Sequence, residues 1–228
     1  MRPKIVTNQA AKSAAAKAAL AYVSPGAVIG VGTGSTVTLF IEAMADGGAA
    51  PSAAVVTSAD TRAKLARAGI PVVELEEVGE LDVYIDGADE IDPFGRLIKG
   101  AGGALTMEKI VASASGWFVC IADESKSVAS LGERARLPLE VLPHATRLVE
   151  EEILALGGVA EVRADFTTDG GNRILDVSGL EFLEPIALER RIDAIPGVIE
   201  CGLFAIRRAD VALIGLVDGG VRTVHFGR

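Results

Sequence analysis

Over roughly the first 125 residues, short apolar runs alternate with helix-like segments, and glycine or proline marks nearly every change. The runs at 27–31, 53–56, 71–75, 82–85 and 117–122 read as strands. Those at 9–23, 37–45, 61–68 and from Thr106 onward read as helices. Strands that alternate with helices need crossover connections, and crossovers on both faces bury a sheet completely. The pattern therefore predicts an α/β chain with a Rossmann-like, mostly parallel, doubly wound sheet. Its core has to be aliphatic, because 50% of the residues are hydrophobic and only 4% aromatic. Trp117 is assigned to that core.

The pattern changes near Leu131. Strand-like runs at 137–141, 159–166, 173–177 and 198–204 enclose helices at 145–156 and 185–194, with a turn at Asp169-Gly170-Gly171-Asn172. The order is βαββαβ, a ferredoxin-like α+β unit. Runs at 211–216 and 221–226, joined through Asp218-Gly219-Gly220, read as a hairpin that returns the chain to the first sheet. The expected division is a catalytic domain from 1–130 with 207–228, and a small inserted domain at 131–206.

A formal net charge of -9 and the lack of any Lys/Arg-rich run argue against a nucleic-acid partner. An anionic substrate must then be held by local devices. Cys120 and Cys201, in apolar runs and without metal- or redox-type spacing, are expected to be buried free thiols. Lys4, Asn8 and Gln9 interrupt any leader-like apolar run, and the longest nearly apolar stretch, 110–122, contains serines and is too short for a bilayer. A soluble, cytoplasmic protein without a membrane partner is expected.

Three motifs carry chemistry. Gly30-Val31-Gly32-Thr33-Gly34-Ser35-Thr36 follows a strand and opens a helix, where backbone amides and hydroxyls donate to phosphate oxygens; an ordinary capped turn is the alternative. No Gly-Lys-Ser/Thr follows, and Ser35 stands where a dinucleotide fingerprint needs glycine. In the second motif, 82–92, the run DVYIDGADEID brings Asp86 and Asp89 to the carboxyl edge of the sheet, where open α/β folds bind ligands. The residues alone leave catalysis, turn formation and Mg²⁺ ligation open. A nearby Lys99 balances the charge without an ion, so no metal is assigned. The third motif runs from Lys99 through Gly100, Ala101, Gly102 and Gly103 to Glu108 in the first turn of a helix. Glu108 is either a first-turn acid favoured by the helix dipole or a base in a closed pocket, its pKa raised by burial and lowered by Lys99. Lys99 is either a solvated side chain or faces an anion. Lys12 and Lys126 are weaker candidates, and His144 and His225 stand in no motif.

These blocks together resemble the ribose-5-phosphate isomerase A family: GVGTGST at 30–36, TSADTRAKL at 57–65, DVYIDGADEID at 82–92, KGAGGALTMEKI at 99–110 and IADESK at 121–126. Similarity continues through 193–198 and 202–215. The resemblance implies interconversion of D-ribose 5-phosphate and D-ribulose 5-phosphate without cofactor or metal, through an enediolate. It implies Glu108 as the base, with Lys99 and the amides of Gly100, Ala101, Gly102 and Gly103 stabilising the oxyanion. Asp86 and Asp89, with the intervening Gly87 and Ala88, would hold the sugar and assist ring opening. Thr33, Gly34, Ser35 and Thr36, with Lys12 and Lys126, would hold the phosphate or adjoining hydroxyls. A homodimer or homotetramer is implied as well. Met107 departs from the arginine common in the family. A non-catalytic sugar-phosphate sensor would have lost the base that Glu108 retains, and a deaminase or hydrolase on the same scaffold would be expected to use histidine.

Overall fold

The computed structural model describes residues 9–227. Lys4 and Asn8, which entered the argument against a leader, lie outside the described residues. In chain order the principal elements begin with α1 (Gln9–Ala19), β1 (Val28–Val31), α2 (Ser35–Ala43), β2 (Ala53–Val56), α3 (Ala59–Arg67) and α4 (Leu75–Val78). There follow β3 (Leu81–Asp86), β4 (Glu90–Ile91), β5 (Leu97–Ile98), α5 (Leu105–Ser113) and β6 (Ser115–Asp123). The second half carries β7 (Leu137–Val141), α6 (Thr146–Ala155), β8 (Val159–Val162), β9 (Arg173–Ser178), α7 (Pro185–Asp193) and β10 (Val198–Cys201). It ends with β11 (Leu203–Phe204), β12 (Val211–Gly215) and β13 (Val221–His225).

The central sheet has the order β13-β12-β6-β3-β1-β2, parallel except for the β13 edge. Alternation along β3 explains how it is buried on both sides. Val83 and Ile85 join Val31, Val119 and Ile121 against α1 and α2, while Tyr84 packs with Phe118, Cys120 and Val111 beside α5. Asp86, two residues after Tyr84, shares its face. A second sheet, β10-β7-β9-β8, is antiparallel throughout and carries α6 and α7, the arrangement expected from βαββαβ. Both cysteines are buried and free. Among the described residues no helix is long and apolar enough to cross a membrane.

Four expectations are corrected. The run 71–75 is not a strand: Val72 makes one isolated bridge to Ala54. A capping box of Glu74 and Glu77 then starts the single turn α4. The run 198–204 breaks at Gly202, whose N–H goes to Pro138 and whose carbonyl receives the Lys99 N–H, so its last residues leave the second sheet for a third, β11-β5-β4. The run 159–166 stops at Val162, just before Asp165 adopts a φ of 52°. Trp117 is 46% exposed, at the amino-terminal rim of β6 near Tyr22 and His225, and is not core.

The order in the central sheet places the direction switch between β1 and β3, because β1 connects onward to β2 on one side and the chain then returns to β3 on the other. A crevice opens at such a switch, beyond the strands' carboxyl ends. The Gly32 turn and the Gly87 turn flank it.

Candidate active site

Asp86 is the hub of the crevice. The backbone curls over it: Thr33 N–H (3.0 Å) and Gly87 N–H (2.6 Å) donate to Oδ1. Lys99 Nζ (2.7 Å) and the Tyr84 hydroxyl donate to Oδ2. Gly32 is required by this approach, since a Cβ there would lie 1.9 Å from the Asp86 carboxyl carbon. The carboxylate is fully buried and does not reach the cavity wall. Asp86 as a ligand for sugar hydroxyls is therefore not what this geometry offers; with four donors already bound, it holds Lys99.

Lys99 also donates to the Gly87 carbonyl at 2.7 Å. Burial alone would lower its pKa, but the Asp86 and Glu108 carboxylates outweigh burial and hold it above the usual lysine value, so it stays an ammonium. Glu108, on the first turn of α5, brings Oε2 to 3.2 Å from Lys99 Nζ. That oxygen is buried and accepts no hydrogen bond. Burial pushes the Glu108 carboxyl up to about 7, against the pull of Lys99 and with a further push from Asp86. An unbonded carboxylate oxygen with a pKa near neutrality, beside a fixed cation, is suited to taking and returning a proton.

These groups open onto a cavity of about 190 Å³. Its wall brings together Lys12, Thr33, Gly34, Ser35, Thr36, Gly87, Ala88, Asp89, Lys99, Gly100, Ala101, Gly102, Glu108 and Lys126. Asp89 accepts the Ala101 N–H at 2.9 Å, tying the two motifs together. Thr33 turns its hydroxyl away from the cavity, toward Thr57 (2.9 Å) and Ser58 (2.9 Å). Gly34, at the N-cap of α2, provides no side-chain cap, so the first amides of the helix are available to an anion, and Lys12 reaches Ser35 Oγ at 3.0 Å beside them. Sequence reasoning missed Ala122 in the wall and Tyr84 behind Asp86; the two-residue spacing of Tyr84 and Asp86 on a strand was the available signal.

Among the described residues, one group of carboxylates and thiols is close enough to share a cation: Asp193, Glu200 and Cys201. The Lys109 ammonium lies 2.7 Å from Glu200 Oε1 and 3.7 Å from Cys201 Sγ, so a positive charge already occupies that corner.

Residues 53–219 match the family model of ribose 5-phosphate isomerase A (phosphoriboisomerase A). The chain is 51% identical over 214 residues to the ribose-5-phosphate isomerase A of Acidithiobacillus ferrooxidans, covering 94% of this chain and 97% of the relative. The crystal structure of ribose 5 phosphate isomerase A from Neisseria gonorrhoeae superposes with a TM-score of 0.92 at 47% identity, over 96% of this chain and 97% of that one. A D-ribose-5-phosphate isomerase in complex with phospho-erythronic acid superposes with a TM-score of 0.89 at 38% identity, over 94% and 97% of the two chains.

Proposed function

Because the chain belongs to the ribose 5-phosphate isomerase A family and is an aldose–ketose isomerase, we propose that Glu108 carries a proton between C2 and C1 as D-ribose 5-phosphate and D-ribulose 5-phosphate interconvert. The observation that carries this reading is the buried Glu108 Oε2, which accepts no hydrogen bond and lines the cavity 3.2 Å from Lys99. In the open-chain aldose the ionised carboxylate takes the C2 proton beside the C1 carbonyl. Negative charge then grows on the oxygens of an enediolate, where the Lys99 ammonium and the Gly102 amide stabilise it. A proton passes from the C2 hydroxyl to the C1 oxygen, Glu108 returns its proton to C1, and the ketose forms. Asp89, on the wall, is the carboxylate suited to a sugar hydroxyl and to ring opening; Asp86 serves by holding Lys99.

The phosphate goes to the uncapped start of α2, with Ser35, Thr36, Lys12 and Lys126 around it. Holding the substrate at this distant end orients the reacting carbons. No metal or cofactor has a part in these steps. We take 1–130 with 207–228 as the catalytic unit and 131–206 as the smaller one, in a cytoplasmic homodimer or homotetramer of the non-oxidative pentose phosphate branch.

Purified protein mixed with ribose 5-phosphate is expected to form the ketose at equal rates with and without a chelator. Glu108→Gln is expected to keep substrate binding and to lose about 10³-fold or more of the turnover. Absence of turnover in the wild type, loss with the chelator, or undiminished exchange of the C2 proton with solvent in Glu108→Gln would each overturn the reading.

A further inference from the structure

The turn that faces the reacting carbons is held from behind by the smaller unit. Arg163 lies just past β8, where its own N–H bonds Ile174 at 2.8 Å. Its guanidinium is gripped by Asp176 on β9, with Nε on Oδ2 at 2.9 Å and Nη2 on Oδ1, and it lies 5.3 Å from the centre of the Phe166 ring. The remaining N–H groups reach across to the turn after Lys99: Nη1 donates to the Ala101 carbonyl at 3.0 Å, and the Gly100 carbonyl lies 3.4 Å from Nη1. Phe166 packs alongside, close enough that a Cβ on Gly103 would lie 2.2 Å from its Cζ.

Peptide geometry turns these contacts into a statement about the cavity. In a trans peptide the carbonyl and the following N–H point in opposite directions. The Gly100 carbonyl accepts the Gly103 N–H at 2.9 Å, which closes the turn, and lies on the Arg163 side, so the Ala101 N–H points the other way and reaches Asp89 Oδ2 on the cavity wall at 2.9 Å. Drawing the Ala101 carbonyl to Arg163 likewise aims the Gly102 N–H away from the smaller unit, and no protein group among the described residues accepts from it. Gly102 lines the cavity with Lys99 and Glu108. Successive N–H groups directed to one side form a concavity for an anion.

We propose that Arg163 is a positioning residue for the isomerisation: held by Asp176, it fixes the peptide between Ala101 and Gly102 so that the Gly102 N–H faces the oxygen on which enediolate charge develops. The inference rests on the isomerase reading above and deepens it. Arg163 touches no substrate atom in this scheme; it acts through the backbone of the turn.

The test compares Arg163→Met, Arg163→Lys and Asp176→Asn with the wild type. Arg136→Met is the control, since Arg136 pairs with Glu161 on the exposed surface of the same unit. The readouts are kcat and KM for ribose 5-phosphate, the inhibition constant of phospho-erythronic acid, whose carboxylate stands in for the charged oxygen, and the melting temperature. Arg163→Met is expected to lower kcat by about 10- to 100-fold, because misplacing one donor has that scale of effect. KM is expected to stay within about threefold, since the phosphate is held elsewhere, and the inhibition constant to rise roughly in step with the kcat loss. Lysine should recover only part of the loss, because it keeps the charge and lacks the fork. Unchanged kcat and inhibition constant with a lowered melting temperature would reduce Arg163 to a structural brace and overturn the proposal. So would full recovery by lysine, or a raised KM at constant kcat. If Arg163→Met does not fold, Arg163→Lys and Asp176→Asn decide by the same readouts. A wild type without turnover would instead remove the isomerase reading, which the control assay reports separately.

Discussion

Glu108 and Lys109 are neighbours on α5, both buried, yet each belongs to a different ionic cluster. Lys109 donates to Glu189 (2.9 Å), Glu200 (2.7 Å) and the Leu203 carbonyl (2.8 Å). Glu189 in turn accepts the N–H groups of Ala205 (2.7 Å) and Ile206 (2.8 Å). That cluster is closed, and it clips α5 to α7 and to the chain around β10 and β11. The Lys99 cluster has the same ingredients, one lysine and two carboxylates, and Phe204 separates the two ammonium groups, 5.6 Å from Lys99 Nζ and 4.9 Å from Lys109 Nζ. It differs by one atom: Glu108 Oε2 is left without a hydrogen bond. Charge and burial alone do not separate architecture from chemistry. An unfilled bonding position at the wall of a cavity does.

Removing each lysine tests that contrast. Lys99→Met should lower turnover by about 10²- to 10³-fold through loss of the cation proposed above to stabilise the developing oxyanion. It should also destabilise the fold by about 3–5 kcal/mol, because Asp86 is left as a buried and poorly compensated anion. Lys109→Met should cost a similar 3–5 kcal/mol, measured by denaturant unfolding, since Glu189 loses its cation in the same way. Turnover per folded molecule in Lys109→Met should nevertheless stay within about tenfold of wild type, because no group in the cavity loses a contact. Equal losses of turnover in the two variants would break the distinction between the clusters.

What was legible in the chain follows from how local each feature is. The motifs at 30–36 and 82–92 converge because each runs off the carboxyl end of a central-sheet strand, β1 and β3, which apolar runs and glycines make legible. The 99–109 loop instead follows β5 of the third sheet, turned back toward the same edge by its antiparallel pairing with β4. The βαββαβ order of the second half was legible from the same apolar runs and glycines. The part played by Asp86 was not. The acid cluster is visible in the chain, but which of its carboxylates turns inward depends on the face that β3 presents to α5, which only packing decides. Arg163 is further still from a local signal, 62 residues along the chain from the carbonyl it holds. The two-residue strands β4, β5 and β11 are too short for any periodicity, and the break at Gly202 depends on partners at Pro138 and Lys99.

The smallest expected effect is the most selective, because it reads Glu108 alone. A base that ionises near pH 7 makes kcat/KM fall about tenfold per pH unit below that value and level off above it. The same carboxyl links pH to stability. Its folded pKa of about 7 lies above the ordinary value of 4.5, so the folded state binds the proton more tightly than the unfolded chain does. The stabilising contribution is therefore complete below pH 4.5 and is lost as pH rises through about 7, an effect of about 3 kcal/mol. Glu200 in the closed cluster is pushed in the same direction by burial, so the wild-type curve carries both slopes. The difference between wild type and Glu108→Gln isolates the Glu108 carboxyl. Denaturant unfolding across pH 4 to 9 should show the glutamine variant to be the more stable protein at alkaline pH, with the gap closing toward pH 4.5. A gap independent of pH would mean that Glu108 is an ordinary ion-pair partner of Lys99, and the two clusters would then be alike.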